Sequence, residues 1–373
     1  MMQILGDYLL PFLVILTVLV FVHEYGHYWV AKRAGVKVEV FSIGFGPELF
    51  GRTAKDGVRW KFCALPLGGY VKMSGDMNPA SVGIDDRPMT AEERQGAFQY
   101  KSLSWRAAIV AGGPLANFAF AIILLTGLFI FVGQPTTSPV IGTVVDGAPA
   151  AAAGLLAGDK VVSVDGQSVE RFEDIQRVVQ ARPGQTLPIA VERGGSTLTL
   201  PVKTGVRTIE DRFGGTQQLG YLGIGAGAGQ MVQHDPFTAT VQAVKETWTI
   251  TTGTLHALGQ MIRGERDTKE IGGVLRIAQM SGEVARTSAV SVVWFLALLS
   301  INLGLINLMP VPVLDGGHLL YYAAEAVFRR PLGKRVQEVG AAIGLTAILC
   351  LMVFATWNDL VQLRVFAWVA SLV

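Results

Sequence analysis

Four segments of this chain are long and apolar enough to cross a lipid bilayer, and they restrict its fold more than any other feature. They lie at 8–31, 107–133, 287–314 and 339–358. A helical span requires about 20 predominantly apolar residues. The composition agrees, because 50% of the residues are hydrophobic and only 16% are charged, whereas soluble domains carry roughly 25% charged residues. The sequence therefore predicts a polytopic α-helical membrane protein with four transmembrane helices.

The composition also excludes several classes of protein. A net charge of only +2 gives no electrostatic basis for a nucleic-acid partner, and none is expected. The two cysteines, Cys63 and Cys350, are too few for a disulfide framework. The first apolar segment lacks a basic start and a small-residue cleavage site, and it is too long for a signal peptide. We therefore expect a retained helix.

Basic residues near the ends of the spans predict their orientation. No lysine or arginine precedes the first span, whereas Lys32, Arg33 and Lys37 follow it. The short loop 329–335 between the last two spans carries four further basic residues. Loops rich in lysine and arginine stay in the cytoplasm. The pattern therefore predicts that the N-terminus and the long segment 134–286 lie on the extracytoplasmic side.

A β-hairpin is predicted between the first two spans. Apolar residues alternate from Val36 to Phe45, Asp56-Gly57 is a turn signal, and a second strand follows from Val58. The hairpin is unusually apolar for a cytoplasmic loop. Two interpretations remain open: a sheet on the membrane surface, or a hairpin that re-enters the bilayer with its backbone covered by protein or a cavity. Residues 76–102 are typical of a solvated linker with a short helix.

The block 136–206 contains strand-like and helix-like segments joined by tight turns. Its string Gly158–Gly166 (GDKVVSVDG) resembles a PDZ domain of the bacterial, circularly permuted kind. The resemblance implies a mainly β, α+β domain that captures an extended chain end by strand addition, and Val140, Ile141 and Gly142 are the expected contacts. A lid or spacer without a ligand is the alternative.

The remaining extracytoplasmic segment, 207–286, is less informative. Val241, Val244 and Trp248 belong to one apolar helical face, which predicts a linker with an amphipathic helix. This helix packs either on the membrane surface or on the spans. The predicted organisation thus has four parts: 1–135, 136–206, 207–286 and 287–373.

Ionisable residues inside the first span form the motif His23-Glu24-Tyr25-Gly26-His27. On a helix, positions i and i+4 differ by about 40°, so both imidazoles point the same way, whereas Glu24 lies about 100° from His23. Two histidines and one further ligand suit Zn²⁺, with a position left for water and the glutamate as general base. Because ionisable groups in hydrocarbon are costly, a purely structural role is disfavoured. The site is predicted within the bilayer, nearer the cytoplasm.

The third ligand is expected at the cytoplasmic end of the third span. Asp315 follows a helix end broken by Pro310 and Pro312, where non-helical backbone can direct a carboxylate inward. His318 and Glu325 are alternatives on the residues alone.

Taken together, these motifs resemble the site-2 proteases, intramembrane zinc metalloproteases, and within them the bacterial regulator of sigma-E protease type. The HExxH motif, Gly112-Gly113-Pro114-Leu115-Ala116-Asn117, the PDZ block and Asn307–Gly316 (NLMPVPVLDG) occur in the family's order. The resemblance implies that His23, His27 and Asp315 bind Zn²⁺ and that Glu24 is the catalytic base. It also implies that a re-entrant β-hairpin with Gly44, Phe45 and Gly46 binds substrate. Asn302 and Asn307 are the two further residues that it implies for substrate binding.

The resemblance further implies a protease of the bacterial inner membrane. Its expected substrates are transmembrane segments of single-span proteins, such as anti-sigma factors or signal-peptide remnants. Some relatives of this type carry two PDZ copies, whereas a single GDxVxxVDG string occurs in this chain. The alternatives are a catalytically inactive scaffold that binds chains through its PDZ domain, and a zinc transporter. A scaffold predicts loss of Glu24 or of a ligand, but all four residues are present, and spans two and four lack the acidic and histidine pairs of a transport pathway.

Overall fold

The computed structural model describes residues 5–75, 89–169, 171–210, 216–227, 229–264 and 272–362. The helices are α1 (Leu10–Arg33, after a π-helical turn Leu5–Leu9), α2 (Ala91–Gly96), α3 (Leu103–Phe131), α4 (Pro149–Ala152), α5 (Phe172–Gln180), α6 (Pro236–Ile262), α7 (Val274–Thr287), α8 (Ala289–Leu308), α9 (Asp315–Phe328) and α10 (Lys334–Gln362). The strands are β1 (Val38–Thr53), β2 (Arg59–Met73), β3 (Gln134–Thr136), β4 (Ile141–Val144), β5 (Lys160–Val164), β6 (Gln167–Ser168), β7 (Thr186–Arg193), β8 (Ser196–Lys203), β9 (Gly205–Glu210), β10 (Thr216–Tyr221), β11 (Ile224–Ala226) and β12 (Gln230–Val232). The chain divides into two compact units.

Among the described residues, four helices are long and apolar enough to cross a membrane, in agreement with the predicted number of spans. They are Gly6–Arg33, Leu103–Phe131, Ala289–Leu308 and Arg335–Val361. The third is shorter than the predicted 287–314. It ends at Leu308 because Pro310 and Pro312 cannot donate the amide hydrogen bonds that a continuing helix needs.

The first unit comprises 1–126, 240–254 and 269–373, and the predicted β-hairpin lies in it. Phe41 of β1 pairs with Val71 and also with Trp60, so the first half of β1 lies between two segments of β2. The second half of β1 pairs with Arg59–Phe62. Whether this sheet enters the bilayer stays a prediction. Of the predicted linker 76–102, residues 76–88 lie outside the described residues, and α2 provides its short helix.

Small residues let the spans of the first unit approach closely. A Cβ on Gly26 of α1 would lie 2.2 Å from the carbonyl oxygen of Gly112 in α3, and a Cβ on Gly112 would lie 2.8 Å from that of Gly26. At the N-terminus of α7, the carboxylate of Asp359 in α10 accepts the backbone N–H groups of Gly273 and Arg276 at 2.9 and 3.1 Å. This contact caps α7, whose own N-cap residue is glycine.

The second unit comprises 127–239 and 255–268 and contains the predicted PDZ block. Strands β6, β5, β7 and β8 form one sheet in that order, and β11 pairs with β4. Leu222 packs in the same hydrophobic core as Ile141 and Ile175. The structure therefore differs from the predicted boundary at 206, because β11 and Leu222 complete the core from residues further along the chain.

A partly buried ion pair lies in the second unit. Arg193 donates from Nε to Asp159 Oδ1 at 2.6 Å and from Nη2 to Asp159 Oδ2 at 2.7 Å. Asp159 is almost fully buried and also accepts the N–H of Leu156. The guanidinium holds the pKa of Asp159 below its usual range. The pair joins the start of β5 to the end of β7.

Candidate metal centre

Helix α1 brings both histidines of the HExxH motif to one side. The Nε2 atoms of His23 and His27 lie 3.2 Å apart, as expected for residues one helical turn apart. Asp315 Oδ2 lies 3.2 Å from His23 Nε2 and 3.5 Å from His27 Nε2. Among the described residues, these three form the only group of histidine, cysteine and acidic side chains that converge closely enough to hold a metal ion.

The backbone between α8 and α9 determines where Asp315 lies. Val313 has φ +84°, a conformation that a β-branched residue rarely adopts. A Cβ on Gly316 would lie 2.2 Å from the carbonyl oxygen of Met309, and one on Gly317 would lie 2.4 Å from that of Val311. Glycine is therefore required at both positions for the chain to fold back on the end of α8. This turn places the Asp315 carboxylate against α1.

The three converging atoms fit a tetrahedral zinc site. Zinc–nitrogen and zinc–oxygen bonds of about 2.0–2.2 Å imply distances of about 3.3–3.6 Å between ligand atoms. The observed distances are 3.2, 3.2 and 3.5 Å. Asp315 Oδ2 is buried and makes no hydrogen bond of acceptable geometry with any described residue. Buried carboxylates are normally paired with a positive group or bound to a metal ion, and a cation between the three atoms would fit this oxygen.

Helix α3 provides partners for the outer nitrogens of both rings. His27 Nδ1 lies 2.9 Å from the carbonyl oxygen of Ile109, and His23 Nδ1 lies 3.0 Å from the side-chain amide of Asn117. The absence of a side chain at Gly113 leaves room for His27, because a Cβ there would lie 2.3 Å from His27 Nε2. Outer partners of this kind fix the ring orientation of metal-binding histidines.

Glu24 lies beside the three converging atoms without belonging to them. It lines a cavity of about 190 Å³ together with His23, His27 and Asp315. Gly69 of β2 packs against it, since a Cβ on Gly69 would lie 2.8 Å from Glu24 Cγ. A general base must reach a water at the metal without occupying a ligand position, and this role stays a prediction for Glu24.

The two alternative ligands lie elsewhere. Glu325 Oε1 accepts from Arg106 Nη2 at 2.6 Å, and this ion pair keeps its carboxylate away from the histidines. His318 lines the cavity, but neither of its ring nitrogens belongs to the converging group.

The structure separates the residues predicted to bind substrate. Asn307 lines the cavity, whereas Asn302 does not; instead, Thr254 of α6 donates to Asn302 Oδ1 at 3.3 Å. Gly44, Phe45 and Gly46 are not among the lining residues.

The strand that borders the cavity is the end of β2, which contributes Gly69, Tyr70, Val71 and Met73. Among the described residues this segment pairs only with β1, so one edge has no β partner. Sequence reasoning missed this segment, although the pair Gly68-Gly69 was a signal for a close backbone approach.

A second cavity, of about 610 Å³, lies within the second unit, between α5 and the segment that leads into β11. Its lining residues are Phe172, Ile175, Gln176, Val179, Gln180, Val206, Arg207, Gly220, Tyr221, Leu222, Gly223 and Ile224. Val140, Ile141 and Gly142, the predicted peptide contacts, do not line it. Ile141 is fully buried in the core, and β4 pairs with β11.

Two histidines and an adjacent glutamate lie on a helix apolar enough to span a membrane, and a carboxylate from the start of α9 converges on them. This arrangement is that of a class of enzymes, the membrane metallopeptidases. The chain belongs to peptidase family M50, whose family model matches residues 11–351. It is a multi-pass membrane protein and a zinc metalloprotease of the site-2 type.

Relatives along the whole chain agree with this assignment. The protein named "Putative zinc metalloprotease Atu1380" of Agrobacterium fabrum is 44% identical over 365 residues, covering 96% of this chain and 97% of the relative. Metalloprotease MmpA of Caulobacter vibrioides is 36% identical over 389 residues, covering 98% of both chains. Among solved structures, the PDZ domain of an SdrC-like protein from Listeria monocytogenes matches 26% of this chain and 93% of its own, at 22% identity and a TM-score of 0.20.

Proposed function

We propose that this metalloprotease is an intramembrane endopeptidase that cleaves transmembrane segments of single-span proteins. In this proposal His23, His27 and Asp315 hold the Zn²⁺ and Glu24 is the general base. The observation that carries it is the convergence of the three ligand atoms with Glu24 in the same cavity. His23, Glu24 and His27 lie on a helix apolar enough to span a membrane. An inactive scaffold would not need to keep this arrangement.

The residues divide the chemistry between them. A bound Zn²⁺ supplies a Lewis acid and lowers the pKa of a coordinated water. Glu24 accepts the proton of the attacking water and passes it to the amine of the departing chain. Asp315 contributes negative charge, and the two imidazoles remain neutral ligands. The partners of His23 and His27 on α3 hold both rings in place.

The free edge of β2 supports an extended substrate. The carbonyl groups of a transmembrane helix are engaged in i→i−4 hydrogen bonds, so a peptide bond becomes accessible only after local unwinding. Unwinding in hydrocarbon is costly unless new hydrogen bonds replace those lost. The backbone of Gly69–Met73 borders the cavity and can provide them by strand addition. Asn307, which also lines the cavity, offers a further amide.

We also propose the setting in which this reaction occurs. The excess of basic residues after the first span and before the fourth favours a cytoplasmic location for those loops in a bacterial inner membrane. The N-terminus and the PDZ-like block then lie outside the cytoplasm. Anti-sigma factors and signal-peptide remnants are the substrates that fit, because each presents a single span that an earlier cleavage has trimmed on the outer side.

Removal of the metal tests the proteolytic activity directly. In vesicles containing the purified full chain and a model single-span substrate, a zinc chelator should abolish cleavage, and added Zn²⁺ should restore it. Gel electrophoresis of the products measures the effect, and mass spectrometry locates the cut within the span. A control with Mg²⁺ in place of Zn²⁺ should not restore cleavage. Cleavage that persists with metal-free protein would refute the proposal, as would a cut outside the span.

The second proposed partner is a peptide chain end bound in the groove between α5 and β11. Three features support it: β11 is an edge available for strand addition among the described residues, the Tyr221–Ile224 segment lines the groove, and Ile175 and Val179 supply an apolar wall. This groove replaces the predicted contact at Val140–Gly142. The ligand class is an extended peptide with an apolar last residue and a free carboxylate.

Peptides with matched ends test the groove. A fluorescent peptide ending in free valine should bind the full chain at least about tenfold more tightly than the same peptide with a C-terminal amide, because the amide lacks the charge that backbone N–H groups recognise. Gln176→Trp, which fills the groove, should abolish this difference. Arg177→Trp lies on the same helix outside the lining residues and serves as control. Equal binding of both peptides would contradict the proposal.

A further inference from the structure

Asn117 has a buried side-chain amide next to His23 of the metal centre. Its side chain is fully buried within α3, and its Nδ2 lies 3.0 Å from His23 Nδ1. Its Oδ1 is also buried and makes no hydrogen bond to any described residue. The amide therefore has one specific partner, the outer nitrogen of His23.

The orientation of this amide decides which nitrogen of His23 carries the proton. With Nδ2 toward the ring, Asn117 donates to Nδ1, and a neutral His23 then carries its proton on Nε2. With Oδ1 toward the ring, Asn117 accepts from Nδ1–H, and the lone pair lies on Nε2. The two orientations differ by a rotation that interchanges atoms of similar size. No hydrogen bond from a described residue to Oδ1 holds the first orientation in place.

Only the acceptor orientation suits a metal ligand. His23 Nε2 faces His27 Nε2 and Asp315 Oδ2, the two other converging atoms. A proton there would exclude a cation from the position between them. His27 already has the required arrangement, because the carbonyl oxygen of Ile109 can only accept, which places the proton of a neutral ring on Nδ1.

The backbone of Asn117 is anchored independently of its side chain. Ser300 Oγ of α8 donates to the Asn117 carbonyl oxygen at 2.8 Å, and both residues are fully buried. A Cβ on Gly304, one turn further along α8, would lie 3.0 Å from the carbonyl oxygen of Pro114. These contacts fix the position of Asn117 along α8, the helix that precedes Asp315.

We propose that Asn117 is a positioning residue for zinc binding, whose side-chain oxygen accepts the Nδ1 proton of His23 and so directs the Nε2 lone pair to the metal. The inference rests on the proposed zinc ligands. It assigns a role to the Asn117 side chain that the ligand set by itself does not include.

Zinc affinity of the purified full chain, measured by competition with a chromogenic chelator, tests this role without measuring activity. Asn117→Leu keeps the approximate shape but removes the acceptor, and it should weaken zinc binding about 10- to 100-fold, the usual loss for an outer partner. Asn117→Asp keeps an acceptor and has no donor, so it should bind zinc at least as tightly as the wild type. The Co²⁺-loaded Asp variant should retain the wild-type absorption spectrum.

Two control variants distinguish a failure of the positioning role from a failure of the proposed zinc site. Ser300→Ala removes the hydroxyl bound to the Asn117 backbone but leaves the amide, and zinc affinity should stay within about threefold of the wild type, because this hydroxyl contacts no ligand. His23→Ala should lose stoichiometric zinc; if the wild type also lacks it, the proposed zinc site itself fails. The positioning role is overturned if Asn117→Leu binds zinc like the wild type, if Asn117→Asp is as weak as Asn117→Leu, or if Ser300→Ala is equally weak.

Discussion

Replacement of Glu24 by glutamine is expected to lower the cleavage rate of a single-span substrate by about 10²- to 10⁴-fold, the usual contribution of a general base. The change is isosteric and removes only the ability to accept and release a proton near neutral pH. Zinc content should stay at the wild-type level, because Glu24 is not one of the three converging residues. Initial rates in vesicles and elemental analysis of the same preparation measure both quantities.

Glu39→Gln is a suitable control for this experiment. Glu39 lies on β1 and pairs with Lys72 at 2.8 Å, and both side chains are partly exposed to solvent. Exposed ion pairs contribute about 0–1 kcal/mol to stability, so this variant should cleave at nearly the wild-type rate. Two results would contradict the assignment. Undiminished cleavage by Glu24→Gln would remove the glutamate from the chemistry, and loss of zinc from this variant would make Glu24 a ligand.

The part of the site that lies within one helix was predictable from the sequence. His23 and His27 converge because helical geometry alone relates positions i and i+4, and Glu24 takes its place beside them for the same reason. The four spans were predictable because each is a local property of composition and length. The end of α8 at Leu308 has a local cause in Pro310 and Pro312, although the predicted span extended to residue 314.

The rest of the site depends on contacts between distant segments. Nothing local indicates that Asn117 of α3 meets His23, 94 positions earlier, or that a missing side chain at Gly113 makes room for His27. On the residues alone Asp315 competed with Glu325, and only the ion pair with Arg106 places Glu325 elsewhere. Choosing between them required the packing of α3 against α9.

The β elements show the same dependence on pairing. The turn and strands of the hairpin were predictable, but the edge that reaches the cavity is not the expected segment Gly44–Gly46. At Gly44, φ is +89°, and a Cβ would lie 2.8 Å from the carbonyl oxygen of Leu65, so this glycine serves the bend of the sheet. Register decides which edge faces the metal. In the second unit, the groove depends on β11, which pairs with β4 some 80 residues earlier.

The second large effect is expected from Asp315→Asn, which should weaken zinc binding by more than about 100-fold. Loss of an outer partner costs 10- to 100-fold in metal affinity, and loss of a direct ligand should cost more. The variant keeps the size of the side chain but removes its charge, so the loss measures ligation rather than packing. Chelator competition gives the affinity, and circular dichroism confirms that the helices remain.

Two matched variants show which of Asp315, Glu325 and His318 is the third zinc ligand. Glu325→Gln removes a carboxylate of the same helix whose partner is Arg106, and His318→Gln removes the nearby imidazole that lines the cavity. Both should retain zinc with wild-type stoichiometry, because neither side chain contributes a converging atom. Full zinc content in Asp315→Asn together with loss in either of the others would move the third ligand to that residue. Since α9 would then have to turn about its axis, such a result would also refute the arrangement of α8 and α9 around Gly316 and Gly317.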